Sequence, residues 1–286
     1  MHHIYVSLTT ISARLADVHR VVESLLVQEF EPAHFEVALY LSREPYLLDE
    51  GCPALTPELE QLVRDHKGRF AIEYVHNTGP YRKIFPVLDR VYALPQSEFM
   101  RSLVVTVDDD TVYPPGWLRG LYAAYLQHDC VIGYRGRAMV VNEGHIAPYR
   151  KWSKIVQENP SVSNVLTGKD GILYSPLHLH PCVRDERAAL RVAPKADDLW
   201  LKAHALLLGV PAYAIHNSLA HEFPSVRPDQ QVISLYQAFN RRGGNDEAIE
   251  LIDRYVSQRF GKTLVELTAG VPPRLGRAAL LATGDW

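Results

Sequence analysis

Three observations predict an α/β fold for this chain, with a mostly parallel sheet flanked by helices. The first 130 residues alternate between strand-like and helix-like hydrophobic periods, in the order β-α-β-α-β-α-β. The strand segments are short apolar runs of the kind buried in parallel sheets. At 286 residues and 47% apolar composition, the chain is long enough to bury a sizeable core. "IYVSL" (Ile4–Leu8) is the first predicted strand, and Leu15, Val18, Val22 and Leu25 then recur at helical spacing. "FEVALYL" (Phe35–Leu41) is the second strand, followed by a short helix through Leu59, Leu62 and Val63. "FAIEYV" (Phe70–Val75) is the third, followed by a helix through Ile84, Leu88 and Val91, and "SLVVTV" (Ser102–Val107) is the fourth. No internal repeat, low-complexity tract or clear linker interrupts the pattern, so one domain is expected.

The fourth strand ends on Asp108, Asp109 and Asp110, three adjacent like charges that need a balancing partner. In such sheets ligands bind beyond the carboxyl ends of the strands. Pro114 and Pro115 follow and open a helix through Leu118, Leu121, Tyr122 and Tyr125. Hard cations prefer oxygen ligands, and Mg²⁺ typically takes one or two carboxylates plus substrate phosphates. A metal site is therefore the favoured reading, against a solvated acidic turn with Asp110 as a helix N-cap.

Composition excludes several classes. Net charge is −3, from 30 basic and 33 acidic residues, and the basic residues are scattered, so no nucleic-acid footprint is present. Three cysteines without a CxxC pair favour a reducing cytosol. No signal-peptide pattern opens the chain, and no apolar run approaches the roughly 18 residues a membrane span needs. A cytoplasmic protein is expected. No GxGxxG follows the first strand, and "GKT" (Gly261–Thr263) lacks the upstream glycine of a P-loop, Val256 standing there instead.

A second acidic stretch lies in "KADDLWLKAHALLLG" (Lys195–Gly209), a helix with Leu199, Ala203, Leu206 and Leu207 on one face. Asp197 and Asp198 occupy its first turn. There they either cap the helix or supply a general base toward an acceptor hydroxyl.

In order along the chain come "VSLTTISARL" (Val6–Leu15), "NTGPYRKIFPVLD" (Asn77–Asp89), "VTVDDDTVYPPGWL" (Val105–Leu118) and "GYRGR" (Gly133–Arg137). "YRKW" (Tyr149–Trp152), "TGKDGILYSP" (Thr167–Pro176) and "ADDLWLKAHALLLGVP" (Ala196–Pro211) follow. Together these resemble bacterial GT-A fold glycosyltransferases, close to the family-2-like enzymes of capsule, lipopolysaccharide and other cell-surface polysaccharide clusters. The likeness covers about residues 4–216, leaving 226–286 as a C-terminal helical extension packed on a GT-A domain of residues 1–225.

The resemblance implies a donor pocket formed by Ser7, Leu8, Thr9 and Thr10 at the first strand's exit. Arg14 would face a diphosphate, with a solvated helix face as its alternative. Gly79 and Pro80 would turn beside the nucleotide, with Lys83 near base or phosphate. Asp108 and Asp109 would hold the nucleoside side. Asp110, with Asp108 and His216, would hold Mn²⁺ or Mg²⁺, which would balance the acidic triplet. Gly168 and Gly171 would let backbone approach the sugar and Asp170 would contact a hydroxyl; an ordinary hairpin turn is the alternative for that stretch. The implied reaction transfers a sugar from a nucleotide-sugar, a UDP-sugar by preference, to a hydroxyl of a glycan or glycolipid, with inversion. Asp198 is preferred over Asp197 as the base.

His178 and His180 are read as structural. "DQQVISLYQAFNRR" (Asp229–Arg242) and "NDEAIELIDRYVSQRF" (Asn245–Phe260) read as two helices joined by Gly243-Gly244, the second capped by Asn245 and Asp246. The tail Leu267–Trp286 would pack on the protein or a partner, with peripheral membrane contact at the inner face as the alternative; the sequence does not determine an oligomeric state. Two rival functions are a metal-dependent phosphoesterase and a non-catalytic sugar-nucleotide-binding protein on the same fold.

Overall fold

The computed structural model describes residues 2–30, 34–156, 158–216, 223–226, 238 and 243–270. Its strands are β1 (His3–Thr9), β2 (His34–Leu41), β3 (Phe70–Tyr74), β4 (Ser102–Val107), β5 (Val131–Gly133) and β6 (Gly136–Ala138). Further along are β7 (Val141–Asn142), β8 (His145–Ile146), β9 (Ser153–Lys154), β10 (Asn164–Leu166), β11 (Ile172–Tyr174) and β12 (Ala212–Ala214). The α-helices are α1 (Val18–Leu26), α2 (Pro57–Asp65), α3 (Phe85–Tyr92), α4 (Gln96–Phe99) and α5 (Trp117–His128). They continue with α6 (Glu186–Val192), α7 (Asp197–Leu206), α8 (Gly244–Phe260) and α9 (Leu264–Ala269).

Among the described residues, seven strands form the main sheet in the order β12-β5-β11-β4-β1-β2-β3. All pairings are parallel except those of β11, which runs antiparallel to both β4 and β5. The fold class is the predicted one. β4 is buried at every position because its apolar, β-branched run is covered on both faces. Its parallel register with β1 sets Val6 beside Val105 and Leu8 beside Val107. The next residues along, Thr9 and Thr10 on one strand and Asp108 and Asp109 on the other, therefore emerge together at the sheet's carboxyl edge.

Several elements differ from expectation in informative ways. The first helix begins at Val18, and a 3-10 turn over Ser12–Arg14 precedes it. α5 starts at Trp117, so Asp110 does not cap it; Gln28 does part of that work, its side-chain oxygen accepting the Leu118 amide at 3.1 Å. α7 was expected to bury one face but is buried nearly all round, since α8, α9 and β10 also pack on it. α8 begins at a left-handed Gly243, and no side chain caps it. Asp246 instead reaches across to accept the Tyr149 amide at 2.6 Å. The stretch from Gly168 to Gly171 is no hairpin: β10 before it lies in a separate three-stranded sheet with β6 and β9, whereas β11 after it enters the main sheet. His178 hydrogen-bonds Asp129 at 3.0 Å and His180 accepts the Cys182 amide at 3.2 Å. No helix among the described residues is long and apolar enough to cross a membrane. The expected helix over Asp229–Arg242 and most of the Leu267–Trp286 tail lie outside the described residues, Ala238 apart.

Candidate active site

The carboxyl edge of the sheet opens into a cavity of about 1100 Å³. Thr9, Thr10 and Arg14 from the β1 exit line it, together with Gly79, Pro80 and Lys83 from the turn before α3. Asp108–Asp110, Gly168–Asp170, Asp197, Asp198 and His216 complete the wall nearest the sheet. Three residues expected at the donor pocket take no part in that lining. Ser7 and Leu8 are fully buried within β1, which runs on to Thr9, and the Ser7 hydroxyl donates to the Lys83 carbonyl at 2.5 Å. Gly171 lies behind the wall at φ +85°, where a β-carbon would collide with the Trp117 ring. Its lack of a side chain serves packing.

The acidic triplet is largely balanced from within the chain. Asp109 is 9% exposed; one of its oxygens accepts the Thr10 hydroxyl at 2.5 Å and the other meets Arg14 Nη1 at 2.5 Å. The same Arg14 nitrogen is 3.4 Å from Asp110. Asp108 pairs with Lys83 Nζ at 2.8 Å, and its amide donates to the Tyr113 hydroxyl at 3.0 Å. Arg14 was expected to face a diphosphate and a metal to balance the triplet; in the structure two protein cations reach all three carboxylates, Asp110 at the longest distance. The parallel register explains this, because it brings the 3-10 turn after β1 alongside the end of β4.

Asp110 carries the surplus. Burial, then the adjacent Asp108 and Asp109 charges, push its carboxyl up to about 6. His216, at the end of β12, lines the same cavity. No group of three or more His, Cys, Asp or Glu side chains able to hold a metal occurs among the described residues. A hard cation at Asp110 would need most of its ligands from phosphate oxygens and water, the ordinary mode for Mg²⁺.

Lys83 joins the triplet to the second acidic stretch. Its buried ammonium is 3.2 Å from Asp197 as well as 2.8 Å from Asp108. Burial alone would lower the Lys83 pKa, but Asp108, Asp197 and Asp198 together raise it well above its ordinary value. Among the described residues, Asp198 has no cation in ion-pair contact. Its Oδ2 accepts the Gly168 amide at 3.0 Å. Burial, then the Asp197 charge, push its carboxyl up to about 7, with Lys83 pulling in the opposite direction. A β-carbon at Gly168 would lie 3.0 Å from Lys83 Nζ, 3.2 Å from Asp108 and 3.4 Å from Asp198, so any larger residue there would press on all three charged groups. Asp170 is buried, which raises its pKa, while Arg135 and Lys169 act against that. The arrangement places a carboxylate of raised pKa and an acidic sheet edge around one cavity.

Sequence reasoning missed the support beneath this wall. Arg82 and Asp49, both almost fully buried, pair at 2.7 Å, and Arg82 also donates to the Thr10 carbonyl at 2.8 Å. Asp49 in turn accepts the Ser12 and Gly51 amides. Arg82 adjoins Lys83 in "YRK", but nothing local points to a partner 33 positions earlier. Arg135, Arg137, Tyr149 and Lys154, which also line the cavity, were not singled out individually either.

No family model matches the sequence, and no curated protein matches it. Solved structures do. S. aureus TarS 1–349 aligns with a TM-score of 0.53 at 14% identity, over 100% of this chain and 76% of that one. The same protein in complex with UDP gives 0.51 at 16% identity, over 90% and 66%. The mannosyltransferase PcManGT from Pyrobaculum calidifontis, in complex with GDP-Man and Mn²⁺, gives 0.51 at 13% identity, over 98% and 68%. The likeness is one of fold, and that fold is GT-A.

Proposed function

We propose that the protein is a glycosyltransferase moving a sugar from a nucleotide-sugar donor, a UDP-sugar by preference, to a hydroxyl of a glycan or glycolipid of a cell-surface polysaccharide. The observation that carries this reading is Asp198: a carboxylate raised to about 7, without a cation of its own, facing the cavity that Asp108–Asp110 also line. A general base works best with a pKa near the operating pH. The nucleotide-sugar and UDP complexes of the neighbours in fold support the donor class.

In this reaction Asp198 accepts the proton of the acceptor hydroxyl as that oxygen bonds to the anomeric carbon. The bond from the anomeric carbon to the diphosphate oxygen breaks, and the electron pair leaves with the nucleoside diphosphate. Attack opposite the leaving group inverts the anomeric centre. The Gly168 amide fixes Asp198, and Lys83 orients Asp108 and Asp197 on either side of it. Thr9, Thr10, Gly79 and Pro80 line the donor side, and Asp170 faces the sugar. Asp110, with Asp108 and His216, would hold Mn²⁺ or Mg²⁺, which would supply positive charge against the departing diphosphate.

In this reading residues 1–225 are the GT-A unit and 226–286 an extension packed on it, within one cytoplasmic domain. Contact with the membrane would be peripheral; flotation with vesicles that survives deletion of residues 267–286 would remove the tail from that role. The function itself is tested by thermal unfolding with a panel of nucleotide-sugars, with and without Mn²⁺. A donor at 100 times its Kd should add roughly 2.7 kcal/mol, and an acceptor glycan should release the nucleoside diphosphate. Release of inorganic phosphate from simple phosphoesters would favour the phosphoesterase. Donor binding without hydrolysis or transfer would favour the non-catalytic protein.

A further inference from the structure

We infer that Arg137 and Lys154 form an anion-binding acceptor subsite, so that the acceptor carries a phosphate or carboxylate close to the hydroxyl that is glycosylated. The inference rests on the transferase reading and names its substrate class. Three basic residues of the cavity are already paired with carboxylates. Arg14 meets Asp109 and Asp110, Arg82 meets Asp49, and Lys83 meets Asp108 and Asp197. Arg135 and Lys169 act on Asp170. Arg137 and Lys154 line the cavity and, among the described residues, neither forms an ion pair with a carboxylate.

They also stand directly opposite each other, on β6 and β9 of the small sheet. Two like charges in cross-strand register weaken a sheet. No carboxylate among the described residues pairs with either of them to offset that cost, which an anion bound between them would. Arg137 is held for such a role: one guanidinium nitrogen donates to the Trp152 carbonyl at 2.8 Å, and the group lies 5.5 Å from the Tyr149 ring centre. A guanidinium has five N–H donors, so others remain for a ligand. Tyr149 also lines the cavity, its ring against Trp152 and its amide bound by Asp246, and offers an apolar face beside the two charges.

Their location points to the acceptor and away from the donor phosphates. β6 pairs with β10, setting Arg137 beside Val165. Three residues further along the β10 chain is Gly168, whose amide holds Asp198. At about 3.3 Å per residue, the basic pair lies on the order of 10 Å from that amide. It is on the arm of the chain that holds the base, whereas Arg14 and Asp110 stand at the ends of β1 and β4. A sugar whose hydroxyl meets Asp198 can therefore extend a charged substituent to Arg137 and Lys154.

The test is calorimetry on the full chain saturated with whichever of UDP, GDP, CDP or dTDP it binds, in the presence of Mg²⁺. Glucose 6-phosphate, glucuronate and glucose are then titrated. Either the phosphate or the carboxylate probe should bind at least about tenfold more tightly than glucose, a preference that weakens as salt rises. Arg137→Gln/Lys154→Gln should abolish the preference and leave nucleotide affinity unchanged, while Lys154→Arg should retain it. Lys154→Gln alone should not lower the unfolding temperature, because it relieves a repulsion. The subsite is overturned if glucose binds as well as the anions, if the preference survives in the double variant, or if that variant loses nucleotide affinity, which would assign the pair to the donor. Nucleotide binding without anion preference sinks the subsite alone; no nucleotide binding at all sinks the transferase reading with it.

Discussion

The end of β4 and the start of α7 both present adjacent aspartates to one cavity, but the protein treats them differently. At β4 three carboxylates meet Arg14 and Lys83, and Asp110 is left in excess. At α7 Lys83 reaches Asp197 but not its neighbour, and Asp198 is left with the Gly168 amide. Each cluster thus contains one carboxyl pushed well above its ordinary range, to about 6 in Asp110 and about 7 in Asp198. Their surroundings separate their uses. Asp110 sits among other carboxylates at a sheet edge, where the proposed reaction would use it for a cation, whereas Asp198 sits beside the Gly168 amide, where the same reaction would use it to accept a proton. A run of acidic residues therefore has no single meaning; what matters is which member its neighbours leave uncompensated.

The largest effect should come from removing the α7 surplus. Asp198→Asn keeps an oxygen for the Gly168 amide but cannot take a proton, so turnover should fall about 10²–10⁴-fold. Nucleotide affinity should hold. Steady-state kinetics with parallel calorimetry checks this, and near-normal turnover would remove Asp198 from the role of base.

Lys83 links the two clusters, and Lys83→Met should damage both. It would strand Asp197, which is buried, and Asp108, whose side chain is 33% exposed. Breaking a buried pair costs roughly 3–5 kcal/mol, and the exposure of Asp108 puts the expectation at the lower end, about 3 kcal/mol. Urea unfolding of the variant measures it; a loss below about 1 kcal/mol would mean that solvent already screens the cluster.

A smaller effect distinguishes the surplus carboxylates by pH. The Asp198 pKa is raised on folding, from 3.8 to about 7. The native state then binds the extra proton, so the associated stability is complete below about pH 4 and is lost as pH rises through about 7. Each pKa unit corresponds to about 1.4 kcal/mol, so Asp198→Asn should gain on the order of 2 kcal/mol relative to wild type between pH 5 and pH 8. Activity should run the other way, rising through about pH 7 as the base deprotonates. A stability difference independent of pH would show that Asp198 is already ionised when the site is empty.

Much of this was legible in the sequence because the signals were local. Ser102–Val107 reads as a buried strand from its apolar, β-branched run, and Asp108–Asp110 must then fall at a strand end. The paired aspartates of α7 are equally visible. Less legible were the partners. Arg14 could be placed near the pocket, but whether it faced a phosphate or a carboxylate depended on the β1–β4 register. Ser7 and Leu8 were placed at the pocket because the strand end was read short of Thr9. The Arg82–Asp49 pair joins distant segments. β6, β9 and β10 are only two or three residues long, too short for any period to show, and so the juxtaposition of Arg137 with Lys154 was invisible.

The division of labour between the two surplus carboxylates is tested most directly by calorimetric titration of a nucleoside diphosphate, UDP first, with Mn²⁺ or with chelator. Wild type and Asp198→Asn should both bind the nucleotide more tightly with the metal, by a factor of about 5–150. Asp110→Ala should lose most of that gain. Equal nucleotide affinity with and without metal in the wild type, or a gain lost in Asp198→Asn and kept in Asp110→Ala, would contradict the account.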